Sequence, residues 1–137
     1  MSWVNDYVGI PYRDQGRDER GCDCWGLARL IYGRELTLAL PSYLEAYPSA
    51  LEREEVAALI TQQVDARDWQ KVSPPAPFDL LLLRYGRTGC HVGVFVDAER
   101  FLHIVAGEHS KIARRHDPRW RSREIGAYRH PARCAQW

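Results

Sequence analysis

At 137 residues, with 45% hydrophobic and 27% charged residues, the chain has the length and composition of one soluble globular domain. No apolar run reaches the length of a transmembrane helix, and the N-terminus lacks the basic-then-apolar pattern of a signal peptide, so we expect no membrane anchor. The net charge is +1, although eight lysines and arginines lie between Lys111 and Arg133. Without a nucleic-acid-binding motif, a solvated basic face is the commoner meaning of such a segment, and we expect no nucleic-acid partner.

The cysteine pattern indicates reduced thiols made in a cytoplasm. The four cysteines, at positions 22, 24, 90 and 134, are too few and too unevenly spaced for a disulfide framework in a domain of this size. The single residue between Cys22 and Cys24 does not match the usual spacing of zinc ligands. We therefore expect no structural metal.

Helical patterns come first along the chain and strand patterns follow, which is the order typical of an α+β domain. Helices are predicted at Ser2 to Val8, from Cys24 to about Tyr32 with Gly33 as the stop, and at Leu51 to about Ala66. Strands are predicted at Trp69 to Val72, Leu80 to Leu83, His91 to Val96, Arg100 to Val105, Lys111 to Arg114 and Ile125 to Arg129. An exposed polar loop is predicted at Arg13 to Gly21 and an irregular connection at Leu36 to Pro48. Residues 1–137 are thus predicted to form a single domain, with N-terminal helices packed on a C-terminal antiparallel β-sheet meander.

The stretch from Gly21 to Leu27 carries the first candidate for chemistry. After Cys24 the apolar residues recur at helical spacing, so this cysteine is predicted to lie in the first turn of a helix, on the face toward the protein. Asp23 immediately before it is a good N-cap. The unpaired amides and the positive end of the helix dipole would favour a thiolate at Cys24. The alternative is a small buried thiol used only for packing.

Two of the five histidines lie within predicted strands and can supply a base. Strand alternation places His91 and Gly93 on one face. If Asp97 to Glu99 forms a three-residue turn, Gly93 pairs with His103, and the two histidines become diagonal neighbours about 7–8 Å apart at the backbone. Gly93 would leave room between them for Cys24 to dock. The alternative is a pair of hydrogen-bonded histidines on a half-buried sheet.

This arrangement predicts a nucleophilic mechanism. His91 would take the proton of Cys24, and His103 would hold the His91 ring in the required tautomer. Amide hydrolysis would proceed by thiolate attack, a thioester and attack by water. Backbone N–H groups at the start of the helix, helped by a hydroxyl donor, would stabilise the oxyanion.

Five short motifs carry a resemblance to a known family. They are Pro11-Tyr12, Asp23-Cys24-Trp25-Gly26-Leu27, Phe78-Asp79-Leu80, His91-Val92-Gly93-Val94 and Phe101-Leu102-His103. In order and spacing they resemble the NlpC/P60 cysteine peptidases, papain-like enzymes that act on cell-wall peptides, over roughly Tyr7 to Arg129. The resemblance implies the papain-like NlpC/P60 fold and hydrolysis of peptidoglycan stem peptides, typically between D-γ-glutamyl and a diamino acid, with no metal or other cofactor.

The resemblance also implies roles for individual residues. The implied catalytic residues are Cys24, His91 and His103, and the implied oxyanion and substrate-binding residues are Tyr12, Asp23 and Trp25. For Tyr12 an ordinary packing role is the alternative. Two motifs depart from the family: Arg13 to Gly16 replaces a glycine-rich segment that helps shape the substrate groove, and Phe78 stands where the family favours glycine.

The Asp-Cys-Trp-Gly-Leu form of the motif, with Leu40-Pro41-x-Tyr43 after it, is most similar to short family members encoded with bacteriophage tail genes. This similarity implies synthesis in the bacterial cytoplasm without a signal peptide, a place in a virion tail or a prophage-encoded particle, and phage tail-tip proteins as partners beside peptidoglycan.

Three other functions remain open from the sequence. The same fold could serve as a tail-assembly or wall-binding module with little activity. The same Cys-His chemistry could transfer an acyl group to an amine or a lipid instead of water. Metal binding through Cys22, Cys24, His91 and His103 is the third, which the cysteine spacing disfavours.

Overall fold

The computed structural model describes residues 2–13, 16–40, 69–85 and 89–134. The helix predicted at Leu51 to about Ala66, and most of the connection predicted at Leu36 to Pro48, lie outside these residues. Within the described residues, the protein is a mixed structure of short helices and a six-stranded antiparallel sheet. None of the helices in these ranges is long and apolar enough to cross a membrane.

The six strands of the sheet are short and all their pairings are antiparallel. A small hairpin near the N-terminus is formed by β1 (Arg17–Asp18) and β2 (Gly21–Cys22). The sheet consists of β3 (Gln70–Lys71), β4 (Leu80–Tyr85), β5 (Gly89–Phe95), β6 (Arg100–His103), β7 (Lys111–Arg114) and β8 (Glu124–Arg129). Their order across the sheet is β3-β8-β4-β5-β6-β7.

The predicted meander is correct for β4 to β7 and wrong for β8. The last strand returns to lie between β3 and β4 rather than extending the sheet beyond β7. The cause lies in β4, whose apolar run Leu80 to Leu83 is buried throughout and bonds to a strand on each side. A strand buried on both faces belongs at the centre of a sheet, and β8 supplies its second neighbour.

Of the predicted helices that the structure describes, the first is shorter than predicted, and the second has its predicted start and ends within one residue of its predicted end. The described helices are α1 (Ser2–Asn5), α2 (Cys24–Ile31), α3 (Pro118–Arg121) and α4 (Pro131–Cys134). Gly33 does not stop α2, because the chain continues as a π-helical turn over Tyr32–Leu36 and ends at Thr37, whose φ is +54°. The π-helical turn has no local sequence signal comparable to a C-terminal glycine.

Apolar residues fill both faces of the sheet. One face, with Val92, Val94 and Val96, packs in the same core as the buried residues of α2. The opposite face holds a second apolar cluster that contains Phe95 and Phe101. The alternation predicted for β5 and β6 is therefore confirmed, and the two histidines share the face of Phe95 and Phe101.

The conformation of Phe78, two residues before β4, shows how a phenylalanine stands where the family favours glycine. Its φ is +76°, a left-handed conformation that favours glycine. Three contacts hold it: its ring stacks on Trp3 at 4.5 Å between centroids, the Arg133 guanidinium lies 5.4 Å from its centroid, and its carbonyl accepts a hydrogen bond from Tyr32. The phenylalanine therefore offsets its backbone strain by ring contacts that a glycine could not make.

Candidate active site

Asp23 caps α2 and is itself held in place. Its Oδ1 accepts a 2.7 Å hydrogen bond from the Gly26 N–H, as the N-cap prediction requires. The same oxygen accepts a 2.9 Å bond from the Arg17 guanidinium, and both side chains are almost buried. The carboxylate is thus engaged in fixing the first turn of α2, so its direct effect is on the orientation of Cys24.

The β1–β2 hairpin packs directly on this helix start. A side chain at Gly26 would place its Cβ 2.1 Å from the Gly16 carbonyl oxygen, so backbone meets backbone at this point. Arg17 follows Gly16 and turns its guanidinium inward to the same carbonyl and to Asp23. The prediction of an exposed loop at Arg13 to Gly21 is wrong at Arg17, whose side chain is only 10% exposed because it pairs with the Asp23 carboxylate.

The two strand histidines are in direct contact. His91 Nε2 and His103 Nδ1 lie 2.9 Å apart, and both side chains are buried. The pairing of Val94 with Leu102 gives the register predicted for a three-residue turn, and Asp97 Oδ1 accepts two backbone N–H bonds within that turn. The predicted diagonal arrangement is therefore confirmed.

Cys24 docks at a different place from the one predicted. The space above Gly93 is filled by the Phe101 ring, which would lie 2.7 Å from a Cβ at Gly93. Cys24 belongs to α2, which packs on the opposite face of the sheet, and its sulfur accepts a hydrogen bond from the backbone N–H of Val92. The β5–β6 ladder ends at Val94, short of the predicted pair Gly93–His103. The thiol therefore meets the strand at the residue next to His91.

The surroundings of Cys24 disfavour a resting thiolate. Burial is the largest cause and the Asp23 carboxylate the second, and together they raise the pKa of the Cys24 thiol to about 12. The N–H groups of Val92 and Trp25 oppose this effect by donating to the sulfur. The N–H groups at the helix start thus act in the predicted direction, but burial and Asp23 outweigh them. The thiol needs a base beside it.

His103 is held in its neutral form. Burial, followed by the positive charges of Lys111 and Arg119, lowers the pKa of His103 to about 4, and Glu108 opposes this in part. A neutral His103 can accept a hydrogen bond at Nδ1 from the Nε2–H of His91. In that tautomer it is His91 Nδ1 that can exchange a proton with Cys24.

The buried neutral imidazole of His103 predicts a loss of stability in mild acid. Its folded pKa of about 4 lies below the ordinary value of 6.5, so between these values the unfolded chain binds more protons and the free energy of unfolding falls as pH falls. We expect this group to contribute a loss of about 2 kcal/mol between pH 7.5 and pH 5. Urea unfolding at both pH values measures it. His103→Asn should show a shallower pH dependence, and an unchanged slope in that variant would contradict the assignment.

Tyr12 lies beside the nucleophile motif through backbone contacts. It forms an isolated bridge with Cys22, two residues before Cys24, and its N–H donates to the Glu108 carbonyl at 3.0 Å. Ser110 fixes this strand-like segment, because its buried hydroxyl accepts from the Ile10 N–H at 2.8 Å and donates to the Tyr7 carbonyl at 2.5 Å. The structure therefore places the Tyr12 backbone beside the nucleophile motif, and the role of its hydroxyl stays a prediction.

The remaining predicted site residue, Trp25, contributes differently. The whole residue is only 1% exposed and its side chain packs in the core beneath α2, so the side chain does not line an open substrate site. Its N–H, which already faces the Cys24 sulfur, is the group available at the helix start. Within the described ranges, no three side chains of the types that bind metal come together, and Cys22 is fully buried beside the helix.

Comparisons with known proteins identify the family of the chain. The profile of the NlpC/P60 family matches residues 9–129. The chain belongs to the NlpC/P60 family. It is 27% identical over 123 residues to the murein DD-endopeptidase MepS/murein LD-carboxypeptidase of Escherichia coli strain K12, an alignment that covers 90% of this chain. The chain spans 57% of the length of that relative.

Solved structures show the NlpC/P60 fold. An NLP/P60 family protein similar to lipoprotein, from Staphylococcus aureus subsp. aureus Mu50, matches with a TM-score of 0.67 and 26% identity, covering 95% of this chain and 39% of that one. The NlpC/p60 domain of the peptidoglycan hydrolase SagA matches with a TM-score of 0.63 at 20% identity, covering 93% of this chain and 92% of that domain.

Sequence reasoning missed two residues at this NlpC/P60 site. Arg17 binds the capping carboxylate of Asp23. In the sequence it is only an arginine six residues before an acidic N-cap, a pattern too common to predict this contact. Trp120 packs against both histidines from α3. The Asp117-Pro118 pair before it is a helix-start signal that could have located α3. It could not have shown that Trp120 contacts the two histidines.

Proposed function

We propose that this NlpC/P60 domain is a cysteine endopeptidase or amidase that hydrolyses amide bonds in peptidoglycan stem peptides. Two observations carry the proposal: the Cys24 sulfur meets strand β5 at the backbone N–H of Val92, the residue after His91, and His91 Nε2 lies 2.9 Å from His103 Nδ1. A partly buried thiol with a raised pKa at this point of the strand is suited to proton transfer to His91 followed by nucleophilic attack. The relatives that are murein or peptidoglycan hydrolases support the substrate class.

The proposed reaction uses these groups in two halves. As Cys24 attacks the amide carbon, its proton passes to His91 Nδ1, and His103 accepts the Nε2–H of the resulting imidazolium. Backbone N–H groups at the start of α2 stabilise the oxyanion, with the Tyr12 hydroxyl as a further donor. His91 then gives the proton to the leaving amine, and a thioester remains. Water attacks the thioester with His91 as base, which releases the acid and the thiol.

The scissile bond is proposed from the family likeness. It is the bond between D-γ-glutamyl and the diamino acid, whereas the name of the E. coli relative points to an endopeptidase of DD bonds. A single stem peptide contains only the first bond, whereas a cross-linked dimer contains both, because the second bond joins two stems.

Digestion of defined fragments tests the function and the bond together. Purified peptidoglycan, soluble stem peptides and cross-linked dimers are incubated with the protein and with Cys24→Ala, and products are identified by mass spectrometry. We expect a new amine and a new carboxylate at the D-γ-glutamyl bond, with none from Cys24→Ala. Cleavage only of cross-linked dimers would replace the proposed bond. A folded protein that binds the wall without cleaving any fragment would overturn the proposal in favour of a binding module.

We also propose that the protein works in a bacteriophage or prophage particle and is made in the cytoplasm of the host. The support is the similarity of its nucleophile motif and of the segment Leu40 to Tyr43 to short tail-encoded family members. Mass spectrometry of purified particles from the source bacterium tests it. Peptides of this protein should copurify with tail proteins, and their absence from particles with a complete set of tail proteins would contradict the assignment.

A further inference from the structure

Trp120 contacts both histidines of the proposed pair. Its ring lies nearly parallel to that of His91, with an interplanar angle of 24° and 5.6 Å between centroids. It lies perpendicular to that of His103, at 84° and 4.9 Å.

The position of Trp120 is built into the fold. The residue is 4% exposed and belongs to the same apolar cluster as Phe95 and Phe101. It is carried by α3, whose first turn is capped by Asp117, and its indole also meets the Phe101 ring edge-on at 6.4 Å between centroids. A large ring fixed on three sides has little freedom to leave the histidines.

The parallel stacking has an electrostatic meaning. The face of an indole is the negative pole of the ring quadrupole, and tryptophan attracts cations more strongly than the other aromatic side chains. During the proposed reaction His91 changes from a neutral imidazole to an imidazolium, so the attraction to the Trp120 face grows as the proton arrives. An aliphatic side chain of similar size would fill the space without this attraction.

We propose that Trp120 is a positioning residue that stabilises the protonated form of His91 and fixes its ring against His103. The inference rests on the proposed function for its catalytic meaning, because it assigns His91 the role of base. The proton balance is that of the acylation step: the proton leaves the Cys24 sulfur, resides on His91 Nδ1 and departs with the leaving amine. Trp120 exchanges no proton and forms no bond.

Several charged residues also lie near the rings of His103 and Trp120. Lys111, Arg119 and Glu108 influence His103, and the Arg123 guanidinium lies 5.9 Å from the Trp120 centroid. Cys24 approaches from α2 through Val92. The test therefore changes the ring alone and leaves these charged residues in place.

The experiment follows the His91 ring by NMR across pH in protein carrying Cys24→Ala, which requires no turnover. Trp120→Leu removes the aromatic face, Trp120→Phe keeps a weaker one, and Phe95→Leu is the matched control. Phe95 belongs to the same cluster and is fully buried, and its ring packs edge-on against Phe101. Thermal unfolding establishes that each variant is folded.

We expect the pH midpoint of the His91 titration to fall by about half to one pH unit in Trp120→Leu, by less in Trp120→Phe, and to stay unchanged in Phe95→Leu. A purely structural role predicts the opposite sign, because water entering the vacated space would favour the imidazolium. In otherwise unmodified protein, kcat/KM should fall about tenfold for Trp120→Leu and less for Trp120→Phe.

An unchanged or raised midpoint in Trp120→Leu would overturn the inference, as would an equal fall in Phe95→Leu. If Trp120→Leu does not fold, Trp120→Phe decides: a smaller fall supports the inference, and no fall overturns it. Because the NMR measurement does not depend on cleavage, a failure of the proposed hydrolysis in wild type is recognised separately from a failure of this inference.

Discussion

Cys24→Ala and His91→Ala are each expected to lower kcat/KM on peptidoglycan fragments by about three orders of magnitude or more, and the double variant is expected to be no worse than either. In the proposed mechanism, burial and Asp23 raise the pKa of Cys24 to about 12, so the sulfur would attack only when His91 takes its proton. Removing either member leaves the same residual activity from substrate binding and backbone N–H groups. Initial rates of fragment cleavage for the three variants and wild type measure this.

His103 variants separate its role from that of the other two. His103→Ala removes the acceptor of the His91 Nε2–H and should reduce kcat/KM by less than His91→Ala does, whereas His103→Asn offers an amide oxygen and should restore part of the loss. Circular dichroism establishes that the variants fold.

If His91→Ala retained a tenth or more of wild-type activity, or if the losses of Cys24→Ala and His91→Ala multiplied in the double variant, the proposal that Cys24 and His91 act as one unit would be refuted.

Arg129→Met is expected to lower the free energy of unfolding by about 3 kcal/mol or more. Arg129 makes two hydrogen bonds, 3.0 and 2.9 Å long, to the carboxylate of Asp79, which is 0% exposed. Without the guanidinium, Asp79 keeps the Ala76 N–H at 2.7 Å as a hydrogen-bond donor, but its charge loses this bidentate cation in a site away from water. Urea unfolding at pH 7 measures the difference.

The chain contains a matched control for this pair. Arg100 also donates two hydrogen bonds to a carboxylate, both of them to Oδ2 of Asp97, but both side chains are 42% exposed, so Arg100→Met should cost less than about 1 kcal/mol. Changing Asp79→Leu together with Arg129→Met should recover much of the lost stability, because no charge then remains buried. Equal losses in Arg129→Met and Arg100→Met would show that burial does not set the energy of the pair.

The sequence could predict those parts of the site that depend on local rules. Asp23 before an amphipathic helix predicts the N-cap, and the three-residue turn at Asp97 to Glu99 sets a register that brings His91 and His103 together. Both predictions use the period of a helix or a strand and the chemistry of one turn. The NlpC/P60 fold followed from the combination of motifs around these elements and is shown by the family match.

What could not be predicted depends on contacts between distant segments. The place where Cys24 meets Val92 is set by the packing of α2 on one sheet face, and strand alternation alone cannot say which face a helix covers. The partner of Trp120 depends on where α3 lands after β7. In the same way, the return of β8 to the side of β4 has no marker in the residues of β8 itself.

The position of β4 between β5 and β8 has a consequence for how the chain folds. Its second neighbour, β8, is the last strand in the sequence. The Ser110 hydroxyl donates to the carbonyl of Tyr7, which lies 103 positions earlier in the chain. Long loops must therefore close before the sheet is complete. An eight-residue helix such as α2 is marginal on its own and gains its stability from packing on the sheet, and the histidine pair also requires the sheet. We therefore expect the proposed nucleophile and its base to come together only when the sheet is complete.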